Sequence, residues 1–172
     1  MAVHEIRKYP DPVLKKKTAP IETIDDAVNR LIDDMVETMH AASGVGLAAN
    51  QVGISLQLAV IDIGEHGGEG KKHPLVVLIN PEIISQEGSV LAEEGCLSVP
   101  DFSETVKRAA RVKVRAKDRM GKPFEMEAEG LMAKALQHEI DHLNGILFID
   151  RMSPIKKSIF KRKLKKALAE TA

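Results

Sequence analysis

The stretch Leu131-Met132-Ala133-Lys134-Ala135-Leu136-Gln137-His138-Glu139-Ile140-Asp141-His142-Leu143-Asn144-Gly145 decides how the rest of the chain is read. A helix sets side chains four residues apart on one face, so His138 and His142 offer two imidazoles to a single metal ion. Glu139, beside the first of them, can reach a water at that ion without binding the ion itself. This H-E-x-x-H spacing is the arrangement of a metal-dependent hydrolase. The competing reading is two solvated histidines on a polar helix face, and a third ligand separates the two.

A catalytic metal usually takes three protein ligands and keeps one position open. In one protease pattern the third is a histidine six residues after the second, where this chain has Phe148. In another it is a downstream glutamate, but after His142 the only acids are Asp150 and Glu170, both poorly placed. The remaining candidate is Cys96, inside Glu93-Glu94-Gly95-Cys96-Leu97-Ser98-Val99-Pro100. A lone cysteine is ordinarily a small buried hydrophobe, and that alternative stands beside the metal reading. As a ligand it would complete a Cys-His-His set, whose thiolate admits Fe(II) as well as Zn(II).

The chain's 172 residues suit one domain over 1–172, large enough to bury a core without staples. Lys plus Arg and Asp plus Glu are 25 each, so whole-chain charge points to no polyanionic partner. Aromatic residues are 3%, which leaves little for base stacking. With one cysteine no internal disulfide is possible, and no segment reads as a signal peptide or membrane span. The expectation is a cytoplasmic protein, although a mature organellar form would look the same.

Residues 5 to 20, with Pro10, Pro12, Pro20 and three consecutive lysines, read as an extended surface segment. Thr23 as N-cap, acids at 25 and 26, and Val28, Leu31, Ile32, Met35, Val36 and Met39 predict an amphipathic helix. The uncharged run Gly44 to Gly53 reads as a tight packing corner or the wall of a site, the corner being slightly favoured. Strand-length runs follow at Leu56 to Ile63, Leu75 to Asn80 and, less clearly, Glu82 to Leu91. His66 and His73, in the intervening polar loop, are expected to be solvated. Thr105 to Asp118 and Pro123 to Glu129 alternate as a hairpin, Asn144-Gly145 stops the central helix, and a brief strand is expected at Ile146 to Ile149.

Ser153-Pro154 opens a terminal helix over about 153–169, with Ile155, Ile159, Phe160, Leu164 and Leu168 as its apolar side. The predicted architecture is α+β: short, mostly antiparallel strands around a central metal-binding helix, with one helix in the N-terminal half and one at the C-terminus. The terminal helix also carries Lys156, Lys157, Lys161, Arg162, Lys163, Lys165 and Lys166 against Glu170 alone. A solvated polar face and an RNA-binding surface both fit that concentration.

Three blocks, Gly44-Val45-Gly46-Leu47-Ala48-Ala49-Asn50-Gln51, Glu94-Gly95-Cys96-Leu97-Ser98 and Gln137-His138-Glu139-Ile140-Asp141-His142, resemble in order the three motifs of the peptide deformylase family. The likeness runs from Tyr9-Pro10-Asp11-Pro12-Val13-Leu14 to the Ser153-Pro154 helix. It implies removal of the formyl group from N-formyl-methionyl nascent peptides, with formate and a free amino terminus as products. It further implies Cys96, His138 and His142 as ligands of one divalent ion, Fe(II) first, with Zn, Ni or Co able to replace it. Glu139 would be the general base and acid, and the Gln51 amide and Leu97 backbone N–H would face the oxyanion.

Helical spacing puts Leu131, Lys134 and Ala135 on the metal-facing side, so Leu131 and Ala135, with Val45, are candidates for the methionine pocket. The family's main-chain contacts map onto Val45, Gly46 and Gly95, with Glu94 near the mouth. Ser103 stands where well-known bacterial members often carry an arginine, which bears on subsites beyond methionine. The basic helix resembles the tail by which bacterial deformylases dock near the ribosomal exit tunnel, and the expected state is a monomer. The alternative readings are an endopeptidase on the same helix and a non-catalytic ribosome-associated metal protein of the same fold.

Overall fold

The computed structural model describes residues 2–64 and 74–171. The expected loop histidines, His66 and His73, lie outside the described residues.

Strand β1 is Gly46–Ala48 and β2 is Leu58–Ile61, and all four β2 residues are buried. Successive strand side chains point to opposite faces, so a strand buried throughout must be covered on both. Leu58 and Val60 enter one core with Leu31, Ile32 and Met35 of helix α1 (Asp26–Ala41). Ala59 and Ile61 enter another with Ala133, Leu136 and Ile140 of helix α2 (Gly130–Leu143). Strands β3 (Val76–Glu87), β6 (Arg111–Lys117) and β7 (Pro123–Glu129) complete an antiparallel sheet in the order β1-β2-β3-β6-β7. Strands β4 (Val90–Cys96) and β5 (Val99–Arg108) form a separate hairpin sheet. The fold is α+β, as the sequence predicts.

The predicted boundaries shift where side chains satisfy the backbone. Asp25, not Thr23, caps α1: its carboxylate accepts from the Val28 N–H at 2.9 Å and adds negative charge at the positive helix end. The two short runs before Gly88 are one strand. Pro81 has no N–H for the ladder, and β3 slips register between Ile79 and Glu82 instead of ending. The predicted strand over Thr105 to Asp118 splits between the two sheets at Ala109-Ala110. There the Gln137 amide of α2 accepts from the Ala109 N–H at 2.9 Å and donates to its carbonyl at 3.0 Å, replacing a strand neighbour.

Residues 146 to 149 form no strand. A 3-10 turn occupies Phe148–Arg151, tightened by the Asp150 carboxylate accepting from the Leu147 N–H at 2.9 Å. Helix α3 (Pro154–Thr171) docks through Phe160, whose ring lies 4.6 Å from Phe102 and 5.6 Å from Tyr9, and through Leu164. Its expected apolar side is narrower than the pattern suggests, because Ile155 and Ile159 are 74% and 41% exposed. Among the described residues, no helix is long and apolar enough to cross a membrane.

Candidate metal centre and active site

Helix α2 is buried around most of its circumference, and this settles the competing reading of its histidines. His142 is fully buried and the His138 side chain is 12% exposed, so neither is a solvated surface residue. Cys96 ends β4, and the Leu97-Ser98 turn carries the chain into β5. The hairpin brings its sulfur 3.3 Å from His142 Nε2, which lies 3.1 Å from His138 Nε2. One ligand atom from each of the three residues falls within 4.8 Å of the others, a cluster able to hold a metal ion.

The hydrogen bonds and charges around the cluster suit such an ion. His138 Nδ1 donates to Glu94 Oε1 at 2.9 Å, which leaves the Nε2 lone pair facing Cys96 and His142. Burial, aided by the neighbouring His138 and Arg108, holds His142 well below its ordinary pKa and therefore neutral. Burial also opposes charge on His138, but hydrogen bonds to Cys96 and Glu94 and the nearby Glu139 carboxylate raise its pKa well above the usual value. The surroundings therefore attract positive charge. The Cys96 sulfur also accepts from the Ser98 N–H at 3.4 Å and from Gln51 Nε2 at 3.6 Å.

Gln51 sits in the 3-10 turn Ala49–Val52, directly after β1, and is 1% exposed. Its carbonyl accepts from the Ala48 N–H at 2.9 Å while its amide nitrogen donates to Ser98 Oγ at 3.1 Å, so the N–H end faces the cluster. Glu139 is 4% exposed, and its Oε1 has no hydrogen-bond partner among the described residues. Burial pushes its carboxyl up to about 7. The packing-corner reading of the glycine run gives way to the site wall. A Cβ on Gly46 would lie 2.5 Å from Glu139 Oε2, so only glycine lets this carboxylate rest against β1. Gly46→Ala is expected to displace Glu139 and cut turnover, with about 1–3 kcal/mol of stability lost to overpacking; steady-state kinetics beside a urea titration measures both.

A cavity of about 730 Å³ opens over the cluster. Its walls hold Val45, Gly46, Leu131, Lys134 and Ala135 on one side and Glu94, Gly95, Cys96 and Leu97 on the other, with Gln51, His138 and Glu139 at the metal cluster. Every candidate residue from the sequence reading thus lines one space, except His142, which lies behind it. Glu94 is placed differently from a mouth residue: its carboxylate takes a two-point contact from Arg108 at 2.6 and 2.7 Å as well as the His138 bond. Ser103 also lines the cavity and donates to Glu93 at 3.1 Å.

Sequence reasoning passed over the Arg108–Glu94 pair, Ser98 beneath Gln51, and Phe148, whose ring stacks on His138 at 6.3 Å. Asp141 braces the Arg108–Glu94 pair: Arg108 Nη1 donates to Asp141 Oδ2 at 2.6 Å, and Arg151 grips the same carboxylate at 2.6 and 2.8 Å.

Comparison with known proteins agrees with this geometry. The family described as Polypeptide deformylase matches residues 3–158. A peptide deformylase of Syntrophobacter fumaroxidans is 56% identical over 170 residues, covering 99% of this chain and 98% of the relative. The crystal structure of a peptide deformylase from Legionella pneumophila superposes with a TM-score of 0.88 at 50% identity, over 99% of this chain and 98% of the other. That of the Ehrlichia chaffeensis enzyme in complex with actinonin gives 0.89 at 39% identity, over 97% and 98%. With matching motifs, fold and full-length relatives, the chain belongs to the polypeptide deformylase family, the hydrolases that remove the formyl group from nascent peptides.

Proposed function

We propose that Cys96, His138 and His142 hold one divalent ion, Fe(II) in the first instance, and that Glu139, Gln51 and Leu97 carry out deformylation beside it. The observation that carries this reading is the placement of an unpartnered buried carboxylate, Glu139, next to three convergent ligand atoms. A thiolate in the ligand set admits Fe(II) as well as Zn(II), and Ni and Co can take the same site. When bound, the metal supplies Lewis acidity, making water a better nucleophile and polarising the formyl carbonyl.

Glu139 takes the proton from the attacking water and delivers it to the departing nitrogen. A pKa near 7 in its buried position suits both transfers at neutral pH. The Gln51 amide N–H and the Leu97 backbone N–H are the donors assigned to the developing oxyanion. Because Ala48 and Ser98 already fix the Gln51 amide, it needs no reorientation during the reaction. Gln51→Ala is expected to lower kcat by about 100-fold to 1,000-fold with little change in KM. An unchanged kcat would remove Gln51 from the oxyanion role.

The methionine side chain is assigned to the apolar wall of Val45, Leu131 and Ala135, with Lys134 at the rim. β1 ends the large sheet, so its outer edge is open to an extended peptide, which we place against Val45, Gly46 and Gly95. The Glu94 carboxylate is committed to Arg108 and His138, so its contact with substrate is assigned to its main chain. Ser103, hydrogen-bonded to Glu93, gives the outer cavity a small polar surface and sets preference beyond methionine.

The chain is read as a cytoplasmic monomer acting on nascent peptides, with the cationic face of α3 touching the ribosome. Replacing Lys161, Arg162, Lys163, Lys165 and Lys166 with alanine should weaken ribosome co-sedimentation and flatten its salt dependence. Unchanged binding would leave α3 as a solvated helix.

A further inference from the structure

A second cavity, of about 440 Å³, lies outside the site described above. Five elements meet around it: β3 supplies Gln86, the β3–β4 turn Ser89, the end of β5 Lys107 and Arg108, α2 Gln137 and Asp141, and the 3-10 turn Arg151. Arg108 lines this cavity but not the substrate cavity, and Glu94 lines the substrate cavity but not this one. Their ion pair is therefore the partition between the two spaces.

The charges around this second space do not balance. Three cations, Lys107, Arg108 and Arg151, face it against one carboxylate, Asp141. Both oxygens of that carboxylate already accept from guanidinium groups. Arg108 is tethered, its side chain only 2% exposed, with Nε and Nη2 on Glu94 and Nη1 on Asp141. Arg151 is 44% exposed and uses Nε and Nη2 on Asp141, while its Nη1 and the exposed Lys107 ammonium have no partner among the described residues. A guanidinium, an ammonium and the Ser89 hydroxyl stand around one polar cavity whose single carboxylate is already engaged, leaving the Gln86 side chain as its neutral polar member. Arginine and lysine together suit a tetrahedral oxyanion, which accepts from several directions at once.

We propose that this cavity is a binding site for a phosphate group, either inorganic phosphate or a phosphate monoester, held between Arg151 and Lys107 with Arg108 as its deep wall. The volume exceeds that of one oxyanion, so the organic part of a small monoester also has room. The site is separate from the metal cluster, and its ligand sits one ion pair away from His138, across Arg108 and Glu94.

The test is calorimetric titration of metal-loaded protein with inorganic phosphate at constant ionic strength, repeated with Lys107→Met, Arg151→Met and the double variant. The expected result is saturable binding by the parent, weakened about tenfold or more by each single change, as removal of one charge-assisted contact predicts. Lys107 is exposed, so its variant folds even if loss of Arg151 disturbs Asp141. Displacement of phosphate by glycerol 3-phosphate would identify the monoester as the bound form; failure to displace it would identify free phosphate. The absence of saturable binding by the parent, or equal binding by the double variant, would overturn the proposal. The second outcome would place the anion on α3 or at the metal.

Discussion

Glu139→Gln is expected to reduce formate release from a formyl-methionyl peptide by about 100-fold to 10,000-fold, the range for loss of a positioned general base. The metal content of the protein should not change. The change is nearly isosteric, so the glutamine still fits the space that Gly46 leaves against β1. What it removes is the capacity to accept a proton and return it. Glu139 Oε1 is buried and unpartnered among the described residues, so the carboxylate is committed to no structural contact that the variant would break. Its stability should therefore match or exceed the parent's, since a buried group ionising near pH 7 is replaced by a neutral one. Substantial turnover by metal-loaded Glu139→Gln would move the proton transfer to another group.

Arg108→Met should have the largest effect on stability, a loss of about 3–5 kcal/mol, because it takes the shared cation from two buried carboxylates and leaves Glu94 with the His138 hydrogen bond alone and Asp141 with the half-exposed Arg151 alone. The Glu94 and Asp141 side chains are only 8% and 9% exposed, so water cannot replace the guanidinium. Burial opposes ionisation of Glu94, but hydrogen bonds from Arg108 and His138 outweigh it and hold the carboxyl at about 2, below the ordinary 4.5. A pKa depressed by folding stabilises the native state above the unfolded value and ceases to do so as pH falls through the folded one. The Glu94 contribution, roughly 3 kcal/mol, is therefore complete above about pH 4.5 and disappears towards pH 2.

In Arg108→Met the acid-unfolding midpoint should move up within that window. Urea titrations at pH 7 and acid titrations followed by circular dichroism measure the two effects. A loss below about 1 kcal/mol, with an unmoved acid midpoint, would show that the buried network contributes no more than a surface pair.

The division between what could be read from residues and what could not follows the range of the interactions. His138, Glu139 and His142 are legible because a helical period is local, and Cys96 because two familiar third-ligand positions are filled by the wrong residues. The α1 core face and the β6–β7 hairpin are legible for the same local reason. The Arg108–Glu94–His138 chain is not, because it joins β5 to β4 and α2 across separations of 14 and 44 residues that leave no periodic trace. Nor is the end of β5, which is set by the amide of Gln137 reaching back 28 residues to Ala109. Gly46 shows a subtler limit: its run suggests close approach of something, but only the fold shows that the Glu139 carboxylate arrives there. Ile155 and Ile159 have helical spacing with Phe160, yet α3 docks along a stripe too narrow to cover them.

Deformylation at a Cys96–His138–His142 metal centre is tested most directly by formate release from a formyl-methionyl peptide, using protein purified without oxygen and loaded with Fe(II) or Ni(II), with metal content measured on the same sample. The expected result is one metal per chain, one free amino terminus for each formate released, and loss of both metal and turnover in Cys96→Ala. Metal-loaded protein that releases no formate, or Cys96→Ala that keeps its metal and full turnover, would contradict it.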